Sequence, residues 1–173
     1  MIGLPGSART REGRIEGYRF PPSVTASAIP GSDAGEAELL ERGLRDWFIC
    51  WAHRRRRTLW LPSRAVDLAW VAFMADEAAY DDFCSRVFCR RIMHPRDGGA
   101  SDRPRAMFRT VRAWDRSRAA KQGDSVLWSL DEQLQIDSPR GIGFEALEQV
   151  RTKDDPRYGG PYMYGGGASS GGM

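Results

Sequence analysis

The sequence is short of lysine, histidine and cysteine, and each shortage removes a class of answer. Lys121 and Lys153 are the only lysines among 26 basic residues, which leaves 24 arginines and fits GC-rich codon usage before it fits any activity. With His53 and His94 as the two histidines, a centre needing several imidazoles, or a Cys–His nucleophilic pair, has few ways to assemble. The three cysteines, Cys50, Cys84 and Cys89, are an odd set beside apolar runs, which points to buried, reduced thiols in a cytoplasmic protein. No stretch approaches about 18 consecutive apolar residues, so no membrane span is expected. Residues 1–20 carry charges and glycines where a secretory signal needs an apolar region. Strand-like alternation of useful length is also missing.

What is present is helical periodicity. Leu40, Leu44, Trp47, Phe48 and Trp51 fall on one face at 3.6 residues per turn, with Ser32 or Asp33 as N-cap and Glu36 early in the helix. Leu61-Pro62-Ser63 breaks that helix, and Ser63 caps the next, with Asp67 in its first turn. Val66, Ala69, Trp70, Phe73 and Met74 make a second apolar face. Tyr80, Phe83, Cys84, Val87, Phe88 and Ile92 continue the rhythm, either after a break near Asp76–Ala79 or in one bent helix. Proline 95 then ends the run at His94. A further helix is expected over about 104–121, and a short one after Ser125, with Phe144 and Leu147 closing the core. The expected fold is all-α, a bundle of about four to five helices over residues 36–150. Residues 1–35, rich in Gly, Pro, Ser and Ala, are expected to be a flexible or extended leader. Residues 151–173, rich in glycine and carrying Tyr158, Tyr162 and Tyr164, form a low-complexity tail.

Net charge is only +3, but arginines cluster. The run Arg54, Arg55, Arg56 and Arg57 is placed in the last turn of the first helix, where cations meet the negative helix end. Arginine together with aromatics is also the composition of binding hot spots, and basic patches attract nucleic acid.

Chemistry is sparse. Cys84, Cys89 and His94 have the spacing C-x4-C-x4-H, yet five residues turn a helix through about 500°, so the two thiols face different ways. Ser63 reads better as a cap than as a nucleophile, and Gly141-Ile142-Gly143 is too short to cradle phosphate. No catalytic residue, metal or cofactor is assigned. The stretch Leu61 to Trp70, followed by Phe73-Met74, Tyr80, Phe83-Cys84, Phe88 and His94-Pro95, resembles the glycine-rich domain-containing protein family of bacteria and plants, which is defined by a domain of unknown function. Thr110 to Trp114 and Leu127 to Leu134 resemble its later segments. The resemblance singles out Asp67, Trp70, Tyr80, Cys84 and His94. It also implies that two family histidines are replaced here, by Val71 and Met93, and that Cys89 stands for a glycine. A site built on those imidazoles could not form.

Three functions are therefore weighed. The first is a non-catalytic helical module, an accessory or scaffold subunit, docking on a protein assembly through its two terminal extensions, including Tyr158, Tyr162 and Tyr164, and a Trp/Arg surface that includes Arg54–Arg57. The second is a basic protein associated with nucleic acid. The third is a metal-dependent enzyme centred on His94 and Asp67.

Overall fold

The computed structural model describes residues 6–55, 58–94 and 103–140. Among the described residues the fold is all-α: α1 (Ala8–Glu16), α2 (Pro22–Ala28), α3 (Ala34–His53), α4 (Arg64–Ala75), α5 (Glu77–Phe88), α6 (Arg103–Asp115) and α7 (Leu130–Gln133). Two 3-10 turns, Ala119–Lys121 and Val126–Trp128, lie between α6 and α7. The tail from residue 151, with Phe144 and Leu147 before it, lies outside the described residues.

Helix α3 is the axis on which α1, α4, α6 and α7 pack. It begins with a complete capping box: Asp33 accepts from the Glu36 backbone at 2.8 Å and Glu36 accepts from the Asp33 backbone at 3.0 Å. Its apolar face is fully inside, with Leu40, Leu44, Trp47, Phe48 and Cys50 all at 0% exposure. Gly43 lets the neighbours come close, since a Cβ there would lie 2.6 Å from Leu130 Cδ2 and 3.0 Å from Val66 Cγ2. Asp76 settles the break between α4 and α5: it ends the first and caps the second, accepting from Ala79 N at 3.1 Å. The residue after α5, Cys89, is left-handed at φ 55° and turns the chain away.

The first 35 residues depart from the expected leader. They contain α1 and α2, and Ile15, Phe20 and Val24 belong to the core. Phe20 meets Phe73 edge to face at 5.3 Å, inside a cluster in which Phe48 and Phe83 lie 4.6 Å apart. Besides Ile15, α1 buries a carboxylate. Glu12, at 0% exposure, accepts from His53 Nε2 at 2.8 Å and from the backbone N–H groups of Arg118 and Ala119 at 2.7 and 3.0 Å. Arginines fasten the helices further by donating to carbonyls at helix ends: Arg11 to Ala52, Arg116 to His53, Arg14 to Arg86, and Arg45 to Ile15 and Glu16. Much of the arginine content is thus structural, because a guanidinium can satisfy the orphan carbonyls of a helix terminus.

Asp46 joins α3 to the turn before α7, accepting from Ser125 Oγ at 2.7 Å and Val126 N at 3.2 Å. Burial dominates its environment and raises the carboxyl from 3.8 to about 6, against the lowering pull of those two donors. The folded group holds its proton at a pH where the unfolded one has lost it. Its contribution to stability is therefore full below the unfolded value and falls as pH rises through about 6, by about 3 kcal/mol in total. Asp46→Asn retains an acceptor for both donors without the buried charge. Chemical denaturation is expected to show the variant matching the parent near pH 4 and exceeding it near pH 8. A pH-independent difference would contradict this account.

Candidate functional site

The residues singled out by motif meet around one tryptophan. Trp70, fully buried on α4, donates its indole N–H to Tyr80 Oη at 3.0 Å, and Tyr80 donates in turn to the Ile92 carbonyl at 2.8 Å. Cys84, one turn after Tyr80 on α5, is buried beside the same backbone. Burial pushes its thiol above the usual range, against the lowering influence of the nearby Ile92 backbone and Tyr80. Burial likewise raises the Tyr80 phenol. The Tyr80 hydroxyl thus holds the Ile92 carbonyl, two residues before His94.

His94 lies with its ring 4.7 Å from that of Trp70, and its Nε2 donates to Asp67 Oδ1 at 2.6 Å. The other oxygen, Oδ2, accepts from Arg140 at 3.0 Å. Side-chain exposure is 23% for His94 and 20% for Asp67, so solvent reaches the pair. Sequence reasoning missed Arg140, which lies 73 positions from Asp67. It also missed Asp131, at 1% exposure, which organises the N-terminus of α4. Asp131 accepts from Ser63 Oγ at 2.6 Å, Arg64 N at 2.8 Å, Ala65 N at 3.0 Å and Arg140 N at 2.8 Å. Ser63 is a cap as expected, accepting from Val66 N at 3.2 Å.

A histidine oriented by a carboxylate is the geometry of a general base, but among the described residues no hydroxyl or thiol is hydrogen-bonded to it. Among the described residues no group of three or more His, Cys, Asp or Glu side chains could hold a metal ion. Cys84, Cys89 and His94 do not converge: the first thiol is buried, and the second lines a groove of about 650 Å³ between α1 and α5 with Gly13, Gly17, Tyr18 and Arg86. That groove contains neither Asp67 nor His94.

The basic run and the tryptophans are placed differently from expectation. Helix α3 ends at His53, so Arg54 is its C-cap and Arg55 follows it instead of filling the last turn. Arg54 lies 3.8 Å over the Trp51 ring, while Arg56 and Arg57 lie outside the described residues, as do Tyr158, Tyr162 and Tyr164. Trp47, Trp70, Trp114 and Trp128 are at most 2% exposed, and Trp51 and Trp60 are half-buried. Four of the six tryptophans therefore build the core, and only Trp51 and Trp60 keep part of a ring at the surface.

Compared with known proteins, the chain matches the family model UCP032817-like over residues 10–144. The chain belongs to the UCP032817-like family. That match overturns the resemblance to the glycine-rich domain family, which nothing in the comparisons supports. It also begins inside α1, in keeping with a first segment that is part of the folded unit. No curated protein and no solved structure matches the chain. Among the described residues no helix is long and apolar enough to cross a membrane.

Proposed function

We propose that the chain is a non-catalytic helical module of the cytoplasm that docks on a protein partner through the outer face of α4 and the His94 corner. One observation carries this reading. The exposed large apolar side chains among the described residues are Leu68 at 43%, Val71 at 53% and Met93 at 65%, and all three adjoin the Asp67–His94 pair. Leu68 and Val71 are three apart on α4, and Val71 is one turn beyond Asp67, so they are surface neighbours. Met93 precedes His94 in the chain. Aliphatic groups ringing a polar centre that includes an arginine, here Arg140, have the make-up of an interface.

The fate of the chemically able groups favours binding over catalysis. Glu12 and Asp131 are consumed by hydrogen bonds that join helices. The Cys50 thiol is fully buried and pushed up by that burial, which opposes thiolate formation.

The test is native co-purification at moderate salt with the parent and with Leu68→Glu/Val71→Glu. Both sites are solvent-exposed, so the melting temperature is expected to change little. A stoichiometric companion is expected with the parent and lost, by at least tenfold, with the variant. Retention of the same companion by a folded variant would refute the assignment of this face.

A further inference from the structure

We propose that the C-terminal end of α3 is a second binding surface, where Arg11, Arg54, Arg90 and Arg116 hold the phosphates of a nucleic acid. Hydrogen bonds bring Arg11 and Arg116 to the last carbonyls of α3 beside Arg54, and Arg90 comes near enough to act electrostatically on Arg54. Arg11 of α1 donates to the Ala52 carbonyl at 3.1 Å, and Arg116, just after α6, donates to the His53 carbonyl at 2.9 Å. Arg54 is the next residue, its guanidinium seated 3.8 Å over the Trp51 ring. Arg90 leaves the end of α5 beside the left-handed Cys89.

Within this group Asp115 offsets part of the charge of Arg116. Arg54 and Arg90 make no ion pair with a described residue, in contrast to Arg86 with Asp82, Arg91 with Asp81 and Arg45 with Glu41. Burial, then Arg90 and Arg11, lower the Arg54 guanidinium from its ordinary value; burial, then Arg55, do the same to Arg116, with Asp115 acting the other way. Each arginine that spends one nitrogen on a helix carbonyl still has further N–H groups in a planar fork. Such forks match phosphate oxygens, and several of them along a surface match a phosphodiester chain better than isolated carboxylates. The exposed aliphatic side chains that would suit a protein partner lie elsewhere, on α4 and at Met93.

The test is fluorescence anisotropy of a labelled 20-nucleotide single strand titrated with the full chain at several salt concentrations. The parent is expected to bind with an affinity that falls linearly on logarithmic axes as salt rises. Arg54→Gln/Arg90→Gln is expected to weaken binding at least tenfold at low salt. It should also reduce the salt slope by about 1.4, roughly 0.7 for each lost phosphate contact. Arg19→Gln/Arg42→Gln removes the same charge elsewhere; Arg42 is 12 residues from Arg54, about 18 Å along a helix. This pair should leave both quantities nearly unchanged. Equal losses from the two pairs, or none from the first, would overturn the proposal. So would full displacement of the strand by millimolar pyrophosphate, which would mark a small-phosphate site, or by polyglutamate of matching charge, which would mark an acidic protein partner. Near-ultraviolet circular dichroism of the buried tryptophans checks that each variant is folded.

Discussion

Replacing Asp131 by alanine is expected to cost about 3–5 kcal/mol, since it strands several buried donors at once. The carboxylate accepts from one hydroxyl and three backbone N–H groups, two of them at the first positions of α4. Those N–H groups have no intrahelical acceptor, and the positive end of α4 favours a negative group there. Asn is no substitute, because its amide nitrogen would face either the pair Ser63 Oγ and Ala65 N or the pair Arg64 N and Arg140 N. A domain of this size holds only about 5–15 kcal/mol in total, so both variants should melt far below the parent. The His94 corner should loosen as well, because Arg140 is held by Asp131 through its backbone and holds Asp67 through its side chain. A melting temperature within about 2 °C of the parent for Asp131→Ala would show that this carboxylate does not organise α4.

A chain beginning at Ser32 is expected not to fold cooperatively. Removing α1 and α2 takes away Ile15, Phe20 and Val24, at 0%, 6% and 1% exposure, each worth about 1.5–3 kcal/mol of buried apolar surface. It also leaves His53 and the N–H groups of Arg118 and Ala119 without Glu12, a further cost of a few kcal/mol. Together these losses approach or exceed the whole stability of such a domain. Thermal unfolding followed by far-ultraviolet circular dichroism decides the matter. A sigmoidal transition near that of the full chain would mean that the first 31 residues are an appendage.

The same segment shows where sequence legibility ended. Helices α3 and α4 were readable because each carries an apolar face at helical spacing and a cap of the expected type, Asp33 or Ser63; the apolar face of α5 was readable too, but its separate start at Asp76 was not. Helix α1 was not readable, because it buries Glu12 along with Ile15, and a buried carboxylate looks like a solvated one until its partners are known. Those partners lie 41 and 106 positions away. Distance hid the site too. Asp67 and His94 were both singled out, yet their contact and the arrival of Arg140 depend on how α4, α5 and the segment after α7 pack. The tryptophans misled for the opposite reason: large aromatic groups serve interfaces and cores alike, and here packing takes them inside.

Placing the docking face on α4 is the central claim, and site-specific photo-crosslinking in intact cells tests it most directly. A photoreactive amino acid is introduced separately in place of Val71, Met93 and Arg19, all exposed. The account predicts that positions 71 and 93 yield one common protein adduct and that position 19 yields none of it. An adduct from position 19 with none from 71 or 93, or no adduct from any of the three, would contradict it.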